Sequence, residues 1–222
     1  MVKKAVLFVI IIVIAYTVVS ITAGSPIKRV QFRSNVTDYL HKMYTMNWKI
    51  DSVDYDLKND KFIANVISGS GISFLVDEDY YGQMMDNYAC SIWMDEVKKA
   101  VTKTVKEVTG SDAEVIVDIY SLGSHTIIYR DEIPSYSTVS RAFSSNATIL
   151  IKGNFSATHY LQEMLEIKQW IVEKKYDASL TFKSEKEKIY FAIPAEDLKK
   201  IKSVEDLNPY RLQNNWLFYP RS

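Results

Sequence analysis

The stretch that most constrains this chain is an uninterrupted apolar run, Ala5 to Ala23, which carries no charge and follows directly on Lys3 and Lys4. A helix needs about 20 apolar residues to cross roughly 30 Å of hydrocarbon, because lipid offers no partner to backbone N–H and C=O groups. The run meets that length. It exceeds the apolar core of about 7 to 15 residues typical of a cleaved signal peptide, so it reads as a retained signal anchor. Thr22-Ala23-Gly24-Ser25 keeps a cleavage site open as the alternative. Lys3 and Lys4 on one side face Lys28, Arg29 and Arg33 on the other, so charge alone does not orient the helix. Long C-terminal regions translocate largely regardless of charge, which favours a cytoplasmic stub (1–4), a transmembrane segment (5–23) and an extracytoplasmic remainder. Lys28 and Arg29 would then snorkel to the outer headgroups.

The rest of the chain is long enough for one medium domain or two small ones with real cores. Lys and Arg number 27 and Asp and Glu 27, so no basic field marks a nucleic-acid partner. Cys90 is the only cysteine, which excludes an intrachain disulfide and a lipid-bearing cysteine behind the apolar run. An exported chain without disulfides leans toward a bacterial envelope.

Residues 24–34 read as a linker that Pro26 separates from the anchor. A helix is expected through about Tyr44, with Val36, Tyr39, Leu40, Met43 and Tyr44 on one stripe. Val53, Tyr55 and Leu57, then Phe62, Ala64 and Val66, alternate about the turn Lys58 to Lys61, and Ile72, Phe74 and Val76 add a third strand. Asp86 or Asn87 opens the strongest helix, whose stripe includes Trp93, Val97, Val101 and Val105 and which Gly110 stops. These elements make a first module, 35–112. The second, 113–222, begins on the strand Val115 to Ile119, with Thr126 to Tyr129 as its expected hairpin partner. Arg130 to Ser145 reads as a surface loop, and Ala147 to Ile151 as a strand covered on both faces. A helix capped by Ser156, two strands (Leu180 to Phe182 and Ile189 to Ile193), a short Ala195 to Ile201 helix and an aromatic tail, Trp216 to Tyr219, complete it. The fold class is thus α+β: one N-terminal transmembrane helix followed by two small α+β modules with antiparallel sheets.

The pattern Tyr39-Leu40-x-x-x-Tyr44, Trp48-x-Ile50-x-x-Val53-x-Tyr55, Phe62-x-Ala64-x-Val66, Phe74-x-Val76 and Asp86-x-Tyr88 resembles the YfjL-like and PepSY-like modules, membrane-anchored or lipoprotein-type proteins of Gram-positive bacteria. The resemblance covers residues 36–88. It implies a cell-envelope protein with a binding or inhibitory role and transfers no catalytic residues. The chain departs from the lipoprotein members in lacking the anchoring cysteine.

Local chemistry is sparse. His41, His125 and His159 are too dispersed for a zinc motif, and His159 with Glu163 reads as a solvated helix face. Asp77, Asp79 and Gly82 copy three positions of a calcium loop, but Tyr81 and Tyr88 stand where oxygen ligands belong; a looser site from Asp77, Asp79 and Asp86 competes with a plain strand end and helix cap. Ser124 and His125 are adjacent, which on a strand points them to opposite faces. Cys90 lies among apolar residues, the setting of a packed thiol. No catalytic, cofactor-binding or metal-binding residue is assigned, and no enzyme activity is expected. Tyr80 and Tyr81 on a turn and Tyr136 in the loop are the candidate partner-binding residues, because exposed tyrosines make interface anchors. The expected partners are the lipid bilayer, through Ala5 to Ala23, and another envelope protein. Against this binding role stand two rivals: a cell-wall or peptide hydrolase whose residues converge only in the fold, and a structural subunit of a membrane complex.

Overall fold

In a computed structural model, residues 10, 16–17, 23–120, 129, 132–143, 147–155, 158–184 and 188–212 are described. Most of the apolar run, the expected hairpin partner at Thr126 to Ile128, Ser124, His125, Ser156 and the tail Trp216 to Tyr219 lie outside them. No helix among the described residues is long and apolar enough to cross a membrane. The fold is α+β, with two four-stranded sheets among the described residues. Two compact units are distinguished, Met1–Ser91 with Gly123–Glu132 and Ile92–Leu122 with Ile133–Ser222, whereas the sequence reading set its module boundary at 112/113.

The first bounded element of unit 1 among the described residues is helix α1, Pro26–Met43. The expected linker is therefore helical. Proline at the first helical position loses no hydrogen bond and its fixed φ suits the helix, so Pro26 begins the element instead of preceding it. The earlier start adds Phe32 to Val36 and Leu40 on the buried stripe, which continues into Tyr44. Just upstream, buried Gly24 adopts φ +73°, and a Cβ there would stand 2.5 Å from Phe62 Cζ and 2.8 Å from Tyr55 Cδ2. The chain enters the unit through a contact that admits only glycine.

Strands β1 (Trp48–Asp56), β2 (Lys61–Ser68), β3 (Ser73–Glu78) and β4 (Met84–Asp86) form an antiparallel meander in that order. β2 buries every second residue, Phe62, Ala64, Val66 and Ser68. In β1 the register shifts between Ile50 and Ser52. That bulge lets Ile50 and Val53, three positions apart, turn to the same buried side. The hairpin and third strand follow the sequence expectation, while the short β4 was not anticipated.

Helix α2, Tyr88–Thr109, carries its first residues in unit 1 and the rest in unit 2. Trp93, Val97, Val101 and Val105 are buried at the expected spacing, and Gly110, at φ +68°, ends the helix as its N–H bonds to Lys106 O at 3.0 Å.

The sheet of unit 2 runs β5 (Ala113–Ile119), β6 (Ala147–Gly153), β7 (Ser179–Ser184), β8 (Ile189–Ile193). The outer pairs are antiparallel but β6 and β7 are parallel, so the expectation of antiparallel sheets fails here. Parallel neighbours need a crossover, and α4 (Tyr160–Glu173) supplies it, burying Met164, Leu165, Ile167 and Ile171. β6 is not covered on both faces: Ile149 and Ile151 are buried, Thr148 is exposed and Leu150 half-buried. The expected loop at Arg130 to Ser145 contains helix α3, Tyr136–Phe143. The expected helix at Ala195 to Ile201 is reduced to a short 3-10 turn, Ala195–Asp197.

Candidate functional site

The turn between β3 and β4 is held by its own backbone and one side chain. Asp79 Oδ1 accepts the N–H groups of Tyr81 and Gln83, both at 2.8 Å, while Asp79 N–H donates to Gln83 O at 2.9 Å. Gly82 N–H donates to Asp79 O at 3.1 Å, from a left-handed φ of +76°. An Asp at this position satisfies turn donors that would otherwise need water. The turn thus forms without help from the side chains of Tyr80 and Tyr81, which are 97% and 79% exposed. Their rings meet edge to face, centroids 5.6 Å apart.

Tyr136 does not join them. It lies in unit 2 and is only 1% exposed. Its hydroxyl donates to Asp177 O at 3.1 Å, its N–H donates to Glu96 Oε2 at 3.1 Å, and its ring packs near those of Trp93 and Tyr176. Formation of α3 turns this residue inward, so it is a core side chain and no surface anchor. Glu96 also accepts Ser135 Oγ at 2.8 Å, fixing the start of α3 as a carboxylate at a helix N-terminus does.

A second constellation in unit 1 escaped the sequence reading. Asp86, at the end of β4, accepts Tyr39 OH from α1 at 2.6 Å, Tyr44 OH from the residue that caps α1 at 2.9 Å, and the Tyr88 N–H at 2.8 Å. The Tyr44, Phe74 and Tyr88 rings pack around it, with centroids 4.8 to 6.3 Å apart. Burial, together with the facing carboxylate and its hydrogen bond, pushes the Tyr39 and Tyr44 phenols well above the ordinary tyrosine value. Both remain protonated donors. The residues of this cluster all fall within the 36–88 pattern, but their spacing carries no signal that would bring them together. Their geometry ties α1 to the start of α2 and leaves the carboxylate occupied.

The candidate calcium ligands are likewise engaged separately: Asp77 pairs with Lys61, Asp79 holds its turn and Asp86 binds the tyrosines. Among the described residues no group of three or more His, Cys, Asp or Glu is placed to hold a metal ion. His41 is exposed with its ring against Trp48, and His159 occupies the position before α4. Cys90 is buried.

The chain matches no protein-family model, no curated protein and no solved structure.

Among the described residues of unit 2 one cation is buried. Lys168, on the inner side of α4, is 2% exposed and donates to Ile201 O at 2.5 Å. Burial pushes its ammonium below the ordinary lysine value, Lys202 adds to the shift and Asp206 opposes it. An unfolded chain therefore binds this proton more readily than the folded one. Stability is expected to rise with pH between the folded and unfolded lysine values and to be lower beneath both. Lys168→Met should remove that dependence in urea titrations at successive pH values. An unchanged pH profile in the variant would refute this assignment of the buried charge.

Proposed function

We propose that the chain is a membrane-anchored, extracytoplasmic protein of the bacterial cell envelope that acts by binding another envelope component. Residues 1–4 are the cytoplasmic stub and Ala5 to Ala23 the single spanning helix, with everything after Pro26 outside. The observation that carries the binding role is the pair Tyr80 and Tyr81, exposed side by side on a turn that is stabilised without their side chains. Two adjacent tyrosines give a large, stiff, amphipathic contact at small entropic cost. The 36–88 resemblance points to the same class of role.

The test is crosslinking in intact membranes, comparing the full-length chain with Tyr80→Ala/Tyr81→Ala. Neither side chain packs in the fold, so stability should stay within about 0.5 kcal/mol of the parent. Loss of an anchor contact of about 2 kcal/mol corresponds to roughly thirtyfold weaker association, and crosslink yield should fall accordingly. Undiminished crosslinking by the variant would remove the turn from the binding surface.

A further inference from the structure

Strand direction gathers three segments at one end of unit 1. β1 ends at Asp56 and β2 starts at Lys61, so the turn 57–60 marks that end. β3 runs antiparallel to β2 with Asp77 opposite Ile63, and the Lys61–Asp77 ion pair closes the same end, which brings the Tyr80–Tyr81 turn there too. The third segment is the chain's entry. Gly24 packs on Tyr55 and Phe62, which face each other near the ends of β1 and β2, and Arg29 Nη2 donates to Ala23 O at 2.8 Å. The β2–β3 turn, 69–72, lies at the opposite end.

Exposed apolar side chains concentrate in these segments. Nine large ones stand exposed among the described residues. Ile10 and Tyr16 belong to the apolar run itself, and five of the others are Ile27, Val30, Leu57, Tyr80 and Tyr81, all in the segments just named. Ile27 and Val30 lie on the first two turns of α1, within about 10 Å along the chain of the end of the run. Since Gly24 is packed against the sheet, no slack linker holds unit 1 off the surface from which the chain emerges.

We propose that this end of unit 1 is seated in the interfacial layer of the lipid bilayer, with Tyr80, Tyr81, Leu57, Ile27 and Val30 as its contacts. The inference rests on the anchor reading of Ala5 to Ala23 and names the lipid interface as the envelope component met by the tyrosine turn. Tyrosine suits that layer because its ring prefers the acyl boundary and its hydroxyl the headgroups. Lys28, Arg29 and Lys58 are offset at this end by Asp60, Glu78 and Asp79, so the contact is apolar in origin and does not depend on anionic lipid.

The test uses the full-length chain with Cys90→Ala, reconstituted in phosphatidylcholine vesicles with and without phosphatidylglycerol. Single nitroxide labels are placed through Leu57→Cys, Tyr81→Cys, Ser73→Cys at the opposite end and Val13→Cys in the apolar run. Collision rates with oxygen and with a water-soluble nickel complex are compared. At positions 57 and 81 the oxygen-to-nickel ratio is expected to exceed that at 73 several-fold, equally in both lipids, with position 13 deeper still. If 57 and 81 match 73 while 13 is deep, the seating is overturned and the anchor stands. If 13 is also water-accessible, the anchor reading falls and this inference with it. Membrane crosslinks from residue 81 to a protein instead of lipid would overturn the seating while leaving the binding role intact.

Discussion

Replacing Asp86 with alanine is expected to destabilise unit 1 by about 4 kcal/mol, because three donors lose a charged acceptor at once. Tyr44 is 6% exposed, so its hydroxyl cannot simply turn to water. Tyr39 is half-buried and regains some solvation, and the Tyr88 N–H loses its partner at the opening of α2. The loss should show as faster hydrogen exchange in α1 and β4. Tyr44→Phe should cost less, and the double variant less than the sum, since both substitutions break one network. The same cluster sets an alkaline limit. Both phenols are held above the ordinary tyrosine value in the fold, so this contribution is intact below about pH 10. Above that, unfolded phenols lose protons that the folded ones keep, and stability should fall by up to about 2.7 kcal/mol per pH unit. A flat profile between pH 10 and 11, or a cost for Asp86→Ala under about 1 kcal/mol, would refute this account.

Trp93→Ala is expected to cost unit 2 a similar amount, about 4 kcal/mol. The indole is 1% exposed, its ring centroid lies 6.3 Å from that of Tyr136, and Nε1–H donates to Pro134 O at 2.7 Å. Truncation opens a cavity beside α3 and leaves the Pro134 carbonyl without that donor. Trp93→Phe keeps much of the packing and loses the hydrogen bond, so its cost should be about half. Thermal unfolding is the direct readout, with a midpoint roughly 10 °C lower for the alanine variant. Equal effects of Phe and Ala would mean that the hydrogen bond, and not the volume, dominates.

How legible all this was varied with how local the determinants are. Helix α2 could be read because Trp93, Val97, Val101 and Val105 repeat at one spacing and Gly110 supplies the stop. The first three strands could be read because Phe62, Ala64 and Val66 alternate without interruption. β4 escaped because Met84 to Asp86 is too short to show a period. Helix α3 escaped because serines and Pro134 suggest a loop, while what fixes it is remote: Glu96 at its start and Lys175 O, which accepts Ser140 Oγ at 2.5 Å. Its burial of Tyr136 followed, and with it the loss of one of three expected anchors. Tyr80 and Tyr81 were visible as candidates since both lie off every apolar stripe. The Asp86 cluster was not, because residues 39, 44 and 86 share no period. Strand partners are the least local of all, and nothing in β6 announces that its neighbour is parallel.

The two sheet topologies also carry a consequence for the order of assembly. Every strand of the first sheet pairs with its predecessor through a turn of a few residues, so that sheet can zip up as soon as residue 86 is available. The second sheet cannot begin at its centre until β7 arrives, since β6 waits for a partner beyond the whole of α4. Closing that longer loop is the slower step. A chain delivered N-terminus first would therefore present a finished first sheet while its carboxy-terminal half was still seeking register, and the exposed edge of β6 during that interval is where misassembly should start.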